Sequence, residues 1–175
     1  MKVIILRILL LVFAFVQINY SAYAKKLQEI NINLHGTVVA FSCTVDPADL
    51  EKTIDLGHWP TRQLNHPGAK SSSIDWSIRL TDCSGNGVKV NFSGKGDKND
   101  ASLLALSSDS TATGIAIELL DESHNRLAIN TMSKRTAVDK DGNAVFGFSA
   151  RYITNTGVVT AGTANADSIF TLTYD

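Results

Sequence analysis

Apolar and polar residues alternate with a period of two along most of the chain, and no window sustains a 3.6-residue period over three turns. Ile30, Ile32 and Leu34 alternate with Asn31, Asn33 and His35 before Gly36, and residues 38–41 continue the extended run toward Cys43. Residues 53–57 read as a short strand and residues 61–73, with Pro67, Gly68 and three serines, as a loop. Ile74, Trp76, Ile78 and Leu80 alternate up to Cys83; residues 84–87 form a turn; Val88, Val90 and Phe92 alternate next, before a polar loop over 93–102. Ile115, Ile117 and Leu119 mark a further strand, followed by a turn over 121–126. The run 139–143 is a hairpin signal ahead of Phe146, Phe148, Ala150 and Tyr152. The final strand is read over 164–174, with Ala164, Ala166, Phe170, Leu172 and Tyr174 on one face. Six or seven strands without a long helix predict an all-β fold, an antiparallel β-sandwich of immunoglobulin-like type.

The first residues follow another pattern. Lys2 and Arg7 precede or flank an unbroken apolar run over 8–16, and Ala22 and Ala24 put small residues three and one positions before a cut. This order is that of a secretory signal peptide over 1–24, cleaved between Ala24 and Lys25. The other reading is an uncleaved membrane anchor. Export sets the redox compartment, in which Cys43 and Cys83, with no CxxC and no nearby histidine pair, read as a disulfide. A reactive or metal-binding thiol is the competing reading.

Composition adds exclusions. Lysine and arginine number 16 against 17 aspartates and glutamates, for a net charge of −1, so no basic excess exists to hold nucleic acid. With only 7% aromatic residues, the core rests mainly on aliphatic side chains. Four histidines (His35, His58, His66, His124) show no metal-ligand spacing, and the chain has no GxSxG, GxxxxGK or HExxH motif. Residues 94–97 resemble a phosphate loop only faintly, because no helix is predicted after them, and read as a turn. No enzyme, metal site or cofactor is expected.

The two ends carry the most information. Residues 25–36 have the alternation of a buried strand where a free terminus would fray, and the last strand alternates up to the penultimate residue. Both ends pairing inside one closed sandwich is one explanation. The other comes from a resemblance. The Cys43 and Cys83 pair, the strand 76–80 running into Cys83, the runs 103–106 and 114–120, residues 148–152, and the ending from Val159 to Asp175 together resemble the subunits of type 1, chaperone–usher fimbriae, most closely the minor tip-adaptor kind. The ending is the most specific part, with Gly162 fourteenth from the C-terminus and Tyr174 penultimate.

The resemblance implies an immunoglobulin-like sandwich lacking its last strand, with a signal peptide over 1–24, an N-terminal donor-strand extension over 25–36 and a pilin domain over 37–175. Ile30, Ile32, Leu34 and Gly36 would form the donated strand. Gly162, Ala164, Ala166, Phe170, Leu172 and Tyr174 would belong to a groove that a chaperone fills first and a neighbouring subunit later. It further implies a periplasmic chaperone, an outer-membrane usher and neighbouring fimbrial subunits as partners, no cofactor, and a place on the surface of a Gram-negative cell. A major shaft subunit of the same family and a stand-alone secreted lectin-like module are the alternatives.

Overall fold

Strand formation follows the alternation. The computed structural model describes residues 42–174, within which seven strands form: β1 (Thr44–Val45), β2 (Ile74–Thr81), β3 (Gly87–Ser93), β4 (Ile115–Asp121), β5 (Thr136–Ala137), β6 (Ala144–Thr154) and β7 (Ile169–Tyr174). They make two antiparallel sheets, one in the order β1-β2-β6-β4 and the other β5-β3-β7. The fold is the expected immunoglobulin-like antiparallel sandwich.

Register places the apolar alternates of both sheets face to face. Across β2 and β6, Trp76 lies opposite Phe148, Ile78 opposite Phe146 and Leu80 opposite Ala144. On the second sheet, Val88, Val90 and Phe92 lie opposite Tyr174, Leu172 and Phe170. Ile78, Leu80, Val88 and Val90 are fully buried between the layers. Trp76, Phe92 and Phe148 form an aromatic cluster with ring centroids 4.9–5.6 Å apart. Edge-on and tilted contacts of this kind add to the burial they accompany.

Most exposed backbone edges are covered. The outer edge of β4 exchanges two 2.9 Å hydrogen bonds with Leu104 and accepts another from the Leu127 N–H. Along β3, β5 and the N–H groups of Asn130 and Ser133, which donate to Phe92 and Val90, cover the side away from β7. Such cover stops a sheet from pairing with other chains.

Several boundaries differ from the sequence reading. Residues 53–57 form no strand, and the last strand begins at Ile169 instead of 164. Both segments keep the alternation of a strand but have no ladder partner. The loop 61–73 holds a single 3₁₀ turn, Thr61–Gln63. A short helix α1 (Pro47–Leu50) is also present; Pro47 opens it and the Asp46 carboxylate caps the Ala48 N–H at 2.9 Å.

Behind the first sheet lies a charged cluster. Glu118 on β4 is only 2% exposed; it accepts from Arg151 Nε at 2.6 Å and Arg126 Nε at 2.7 Å, with Lys70 Nζ at 3.4 Å. Burial pushes its pKa up, but the two guanidinium hydrogen bonds and the nearby charges of Arg151 and Lys70 outweigh this and leave it lowered. Glu118→Gln is expected to cost about 2 kcal/mol at neutral pH, less than a fully enclosed pair because its cations reach solvent. Since the folded pKa is depressed, the stabilisation is present above the ordinary glutamate value of 4.5 and is lost as pH falls through the folded value. Denaturant unfolding from pH 7 to pH 3 should therefore show the two proteins converging in acid; a constant gap would contradict the assignment.

Candidate functional site

Among the described residues, the second edge of β7 has no strand beside it, since β7 ends the order β5-β3-β7. Next to that edge opens a cleft of about 900 Å³. One wall is β7 with its lead-in over 164–168, and the other runs from the end of α1 through the segment 51–56, which belongs to neither sheet. The floor comes from both sheets: Trp76 and Ile78 of β2, Phe92 of β3, Ile117 and Leu119 of β4, and Ala150 and Tyr152 of β6. An unpaired strand edge beside an apolar trough is the arrangement into which an extended peptide can add as a strand, with main-chain hydrogen bonds along the edge and alternate side chains in the trough.

Local chemistry holds both walls extended. In the segment 53–56, Ile54 and Leu56 pack on the core while Thr53 and Asp55 are exposed. It ends where the Asp55 carboxylate accepts from the Gly57 N–H at 2.9 Å, with Gly57 at φ +76°, a conformation glycine adopts without strain. The Trp59 indole N–H donates to the Leu56 carbonyl at 2.7 Å, tying down the same corner. At its start, buried Asp49 accepts from the backbone N–H of Arg79 at 2.9 Å and from its Nε at 3.1 Å, and pairs with Lys52. Burial opposes the Asp49 charge, yet these bonds hold its pKa down at about 2.

On the opposite wall, Ala164 and Ala166 are half-buried between exposed Asn165 and Asp167. The Ser107 N–H donates to the Asn165 carbonyl at 2.7 Å, the Ser107 hydroxyl donates to Asp167 at 2.8 Å, and the Tyr152 hydroxyl donates to the Ala164 carbonyl at 2.8 Å. Burial first, and the Asp55 charge second, raise the pKa of Tyr152, so this phenol remains a donor.

The residues singled out from sequence fall into five groups. Phe170, Ala164 and Ala166 line the cleft. Leu172 and Tyr174 also point inward from β7, but they pack on the core farther along the strand, opposite Val90 and Val88. Gly162 lies away from the cleft, where an added Cβ would come within 2.4 Å of Thr111 Oγ1 and 2.5 Å of the Ala112 nitrogen. Its lack of a side chain serves that internal close approach. Cys43 and Cys83 are joined in a disulfide. Ala24, Lys25, Ile30, Ile32, Leu34 and Gly36 lie outside the described residues. Sequence reasoning missed the floor, because Ile117, Leu119 and Tyr152 look like any inward-facing strand positions. It also missed the carboxylates at the cleft: Glu51, Asp55, Asp109 and Asp167.

Comparison with known proteins agrees with this geometry. Residues 32–175 match the family model described as fimbrial protein. Over 149 residues the chain is 38% identical to the fimbrial-like protein FimF of Salmonella typhimurium, spanning 85% of this chain and 86% of that protein. Among solved structures, the Burkholderia pseudomallei antigen and type I fimbria protein BPSL1626 superposes with a TM-score of 0.61 at 30% identity, covering 75% of this chain and 88% of that one. A subunit from the structure of a chaperone–usher pilus has the same fold, with a TM-score of 0.64 at 23% identity over 85% of this chain and 96% of that one. A sandwich that, among the described residues, leaves one strand edge open beside a cleft with an apolar floor, and a family match over residues 32–175, make this chain a member of the fimbrial protein family and a structural pilin subunit.

Proposed function

We propose that the cleft receives a strand donated by another molecule: a chaperone's during passage through the periplasm, then that of the next subunit at an outer-membrane usher. The observation that carries this reading is the edge of β7, unpaired among the described residues, over a floor of core side chains. In return, Ile30, Ile32 and Leu34 are donated to a preceding subunit, with Gly36 at a close backbone approach. Three large aliphatic side chains buried at roughly 1.5–3 kcal/mol each give about 5–9 kcal/mol before ordering costs. That is enough to hold a polymer joint. In this reading residues 1–24 direct export and are removed, residues 25–36 are the extension, and residues 37–175 are the pilin domain carried to the cell surface.

Within the fimbria the chain acts as a minor adaptor, a reading supported by its 38% identity to FimF and by the residues of its C-terminal ending. It does so without catalysis or cofactor. The test removes residues 25–34. The truncated chain should still capture a donor peptide in its own cleft, while its joining to a preceding subunit should fall by more than tenfold, read as loss of the denaturant-resistant paired species on gels. Undiminished joining would sink the donor assignment; loss of peptide capture as well would indicate that the extension is needed for folding.

A further inference from the structure

We propose that the cleft selects its donated strand by charge, taking one whose outward positions carry lysine or arginine and disfavouring one whose outward positions are acidic. This rests on the donated-strand reading above. An added strand would lie between the segment 51–56 and the run leading into β7, and its side chains would alternate between trough and solvent. Both neighbours alternate likewise. Ile54 and Leu56 turn inward and leave Glu51, Thr53 and Asp55 exposed; Ala164 and Ala166 turn inward and leave Asn165 and Asp167 exposed. The outward residues of the incoming strand would therefore have carboxylates as cross-strand neighbours on both sides, with exposed Asp109 also lining the cleft.

Nothing already on the rim balances that charge. Lys52 is the one cation among the described residues lining the cleft, and it is held by Asp49 and by the Ser77 carbonyl at 2.7 Å. Arg126, Arg151 and Lys70 are committed to Glu118, and Arg79 to Asp46 and Asp49. Opposite charges directly across a strand pair stabilise it and like charges oppose it, and the same field speeds or slows the encounter. The chain's own extension carries Asn31, Asn33 and His35 at the intervening positions. At these three positions a second copy therefore offers no lysine or arginine to the rim, and the preferred donor is a different subunit.

The test uses the full exported chain, refolded with its disulfide around a fluorescent peptide of residues 25–38. Displacement is then timed with three unlabelled peptides: the same sequence, one with Asn31→Lys, Asn33→Lys and His35→Lys, and one with Asp at those three positions. At low salt the lysine peptide should exchange about tenfold faster than the aspartate peptide, and the gap should shrink in high salt. Asp55→Asn with Asp167→Asn should narrow the gap between the lysine and aspartate peptides by at least about threefold, with Glu51 and Asp109 still on the rim. Equal rates for the lysine and aspartate peptides, with the unchanged peptide still captured, would overturn charge selection and leave the donated-strand reading standing. Failure to capture any peptide would overturn both.

Discussion

Replacing Cys43 and Cys83 together by serine is expected to lower stability by about 4 kcal/mol, the largest loss of stability the fold predicts. The bond joins residues 40 positions apart, and closing a loop of that length removes much of the unfolded chain's freedom in the chain-entropy model. It also sits where few other contacts compete. β1 has only two residues paired with β2, Thr44 with Thr81 and Val45 with Leu80. Beside the bond, the Ser84 N–H donates to the Ser42 carbonyl at 3.0 Å and the Cys83 N–H to the Gly142 carbonyl at 2.9 Å. Beyond β1 the chain runs directly into α1 and the wall of the cleft. Loss of the bond should therefore free that wall, weakening peptide capture as well as stability. Denaturant unfolding of oxidised and serine-substituted chains, each with and without bound peptide, measures both effects. A shift below about 1 kcal/mol would mean that β1 and the cleft wall are held by other contacts.

The parts of the fold legible in the sequence are those where one side chain in two is buried by the chain itself. β2, β3 and β6 fall where Ile74 to Leu80, Val88 to Phe92 and Phe146 to Tyr152 alternate, because a strand with one face in the core has little freedom of register; β4 falls where Ile115, Ile117 and Leu119 alternate, although both of its faces are buried. The short elements were not legible. β5 has two residues, Thr136 and Ala137, too few to show a period, and α1 is set by the Asp46 cap and Pro47 instead of by any apolar pattern. The misreadings at 53–57 and 164–168 have one cause. Alternation reports which side chains are buried, not whether a backbone partner exists, and these two segments bury Leu56, Ile54, Ala164 and Ala166 at the cleft without a strand between them.

The same reasoning explains the candidate site. Phe170, Ala164 and Ala166 alternate in the terminal run and the resemblance assigns them to a groove, whereas the floor residues carry no signal that separates an open trough from a closed core. The resemblance groups Gly162 with them; its place beside Thr111 and Ala112 depends on contacts about fifty residues away in sequence, which periodicity cannot reveal. The rim carboxylates are similar. Asp55, Asp109 and Asp167 are spread along the chain, and only the fold gathers them at one cleft.

Phe170→Glu should abolish strand capture while leaving most of the sandwich intact. Phe170 lies opposite Phe92 on β3, lines the cleft and is only half-buried, so part of its ring waits for cover. Completing the burial of a large apolar side chain is worth up to about 3 kcal/mol, and enclosing a carboxylate there adds the cost of removing it from water. Together these lower affinity for a donor peptide more than 100-fold, since every 1.4 kcal/mol is about tenfold. The open form loses less, because in it a glutamate at this position still reaches solvent. Thr171→Glu is the matched control: its side chain is exposed on the opposite face of β7, and capture should stay within about threefold of the unchanged protein. Phe170→Leu keeps an apolar side chain and should retain capture at a reduced lifetime, which separates loss of the binding surface from loss of folding. Peptide lifetimes measured on the three variants decide the matter. If Phe170→Glu holds the peptide as long as Thr171→Glu does, the donated strand does not lie against β7.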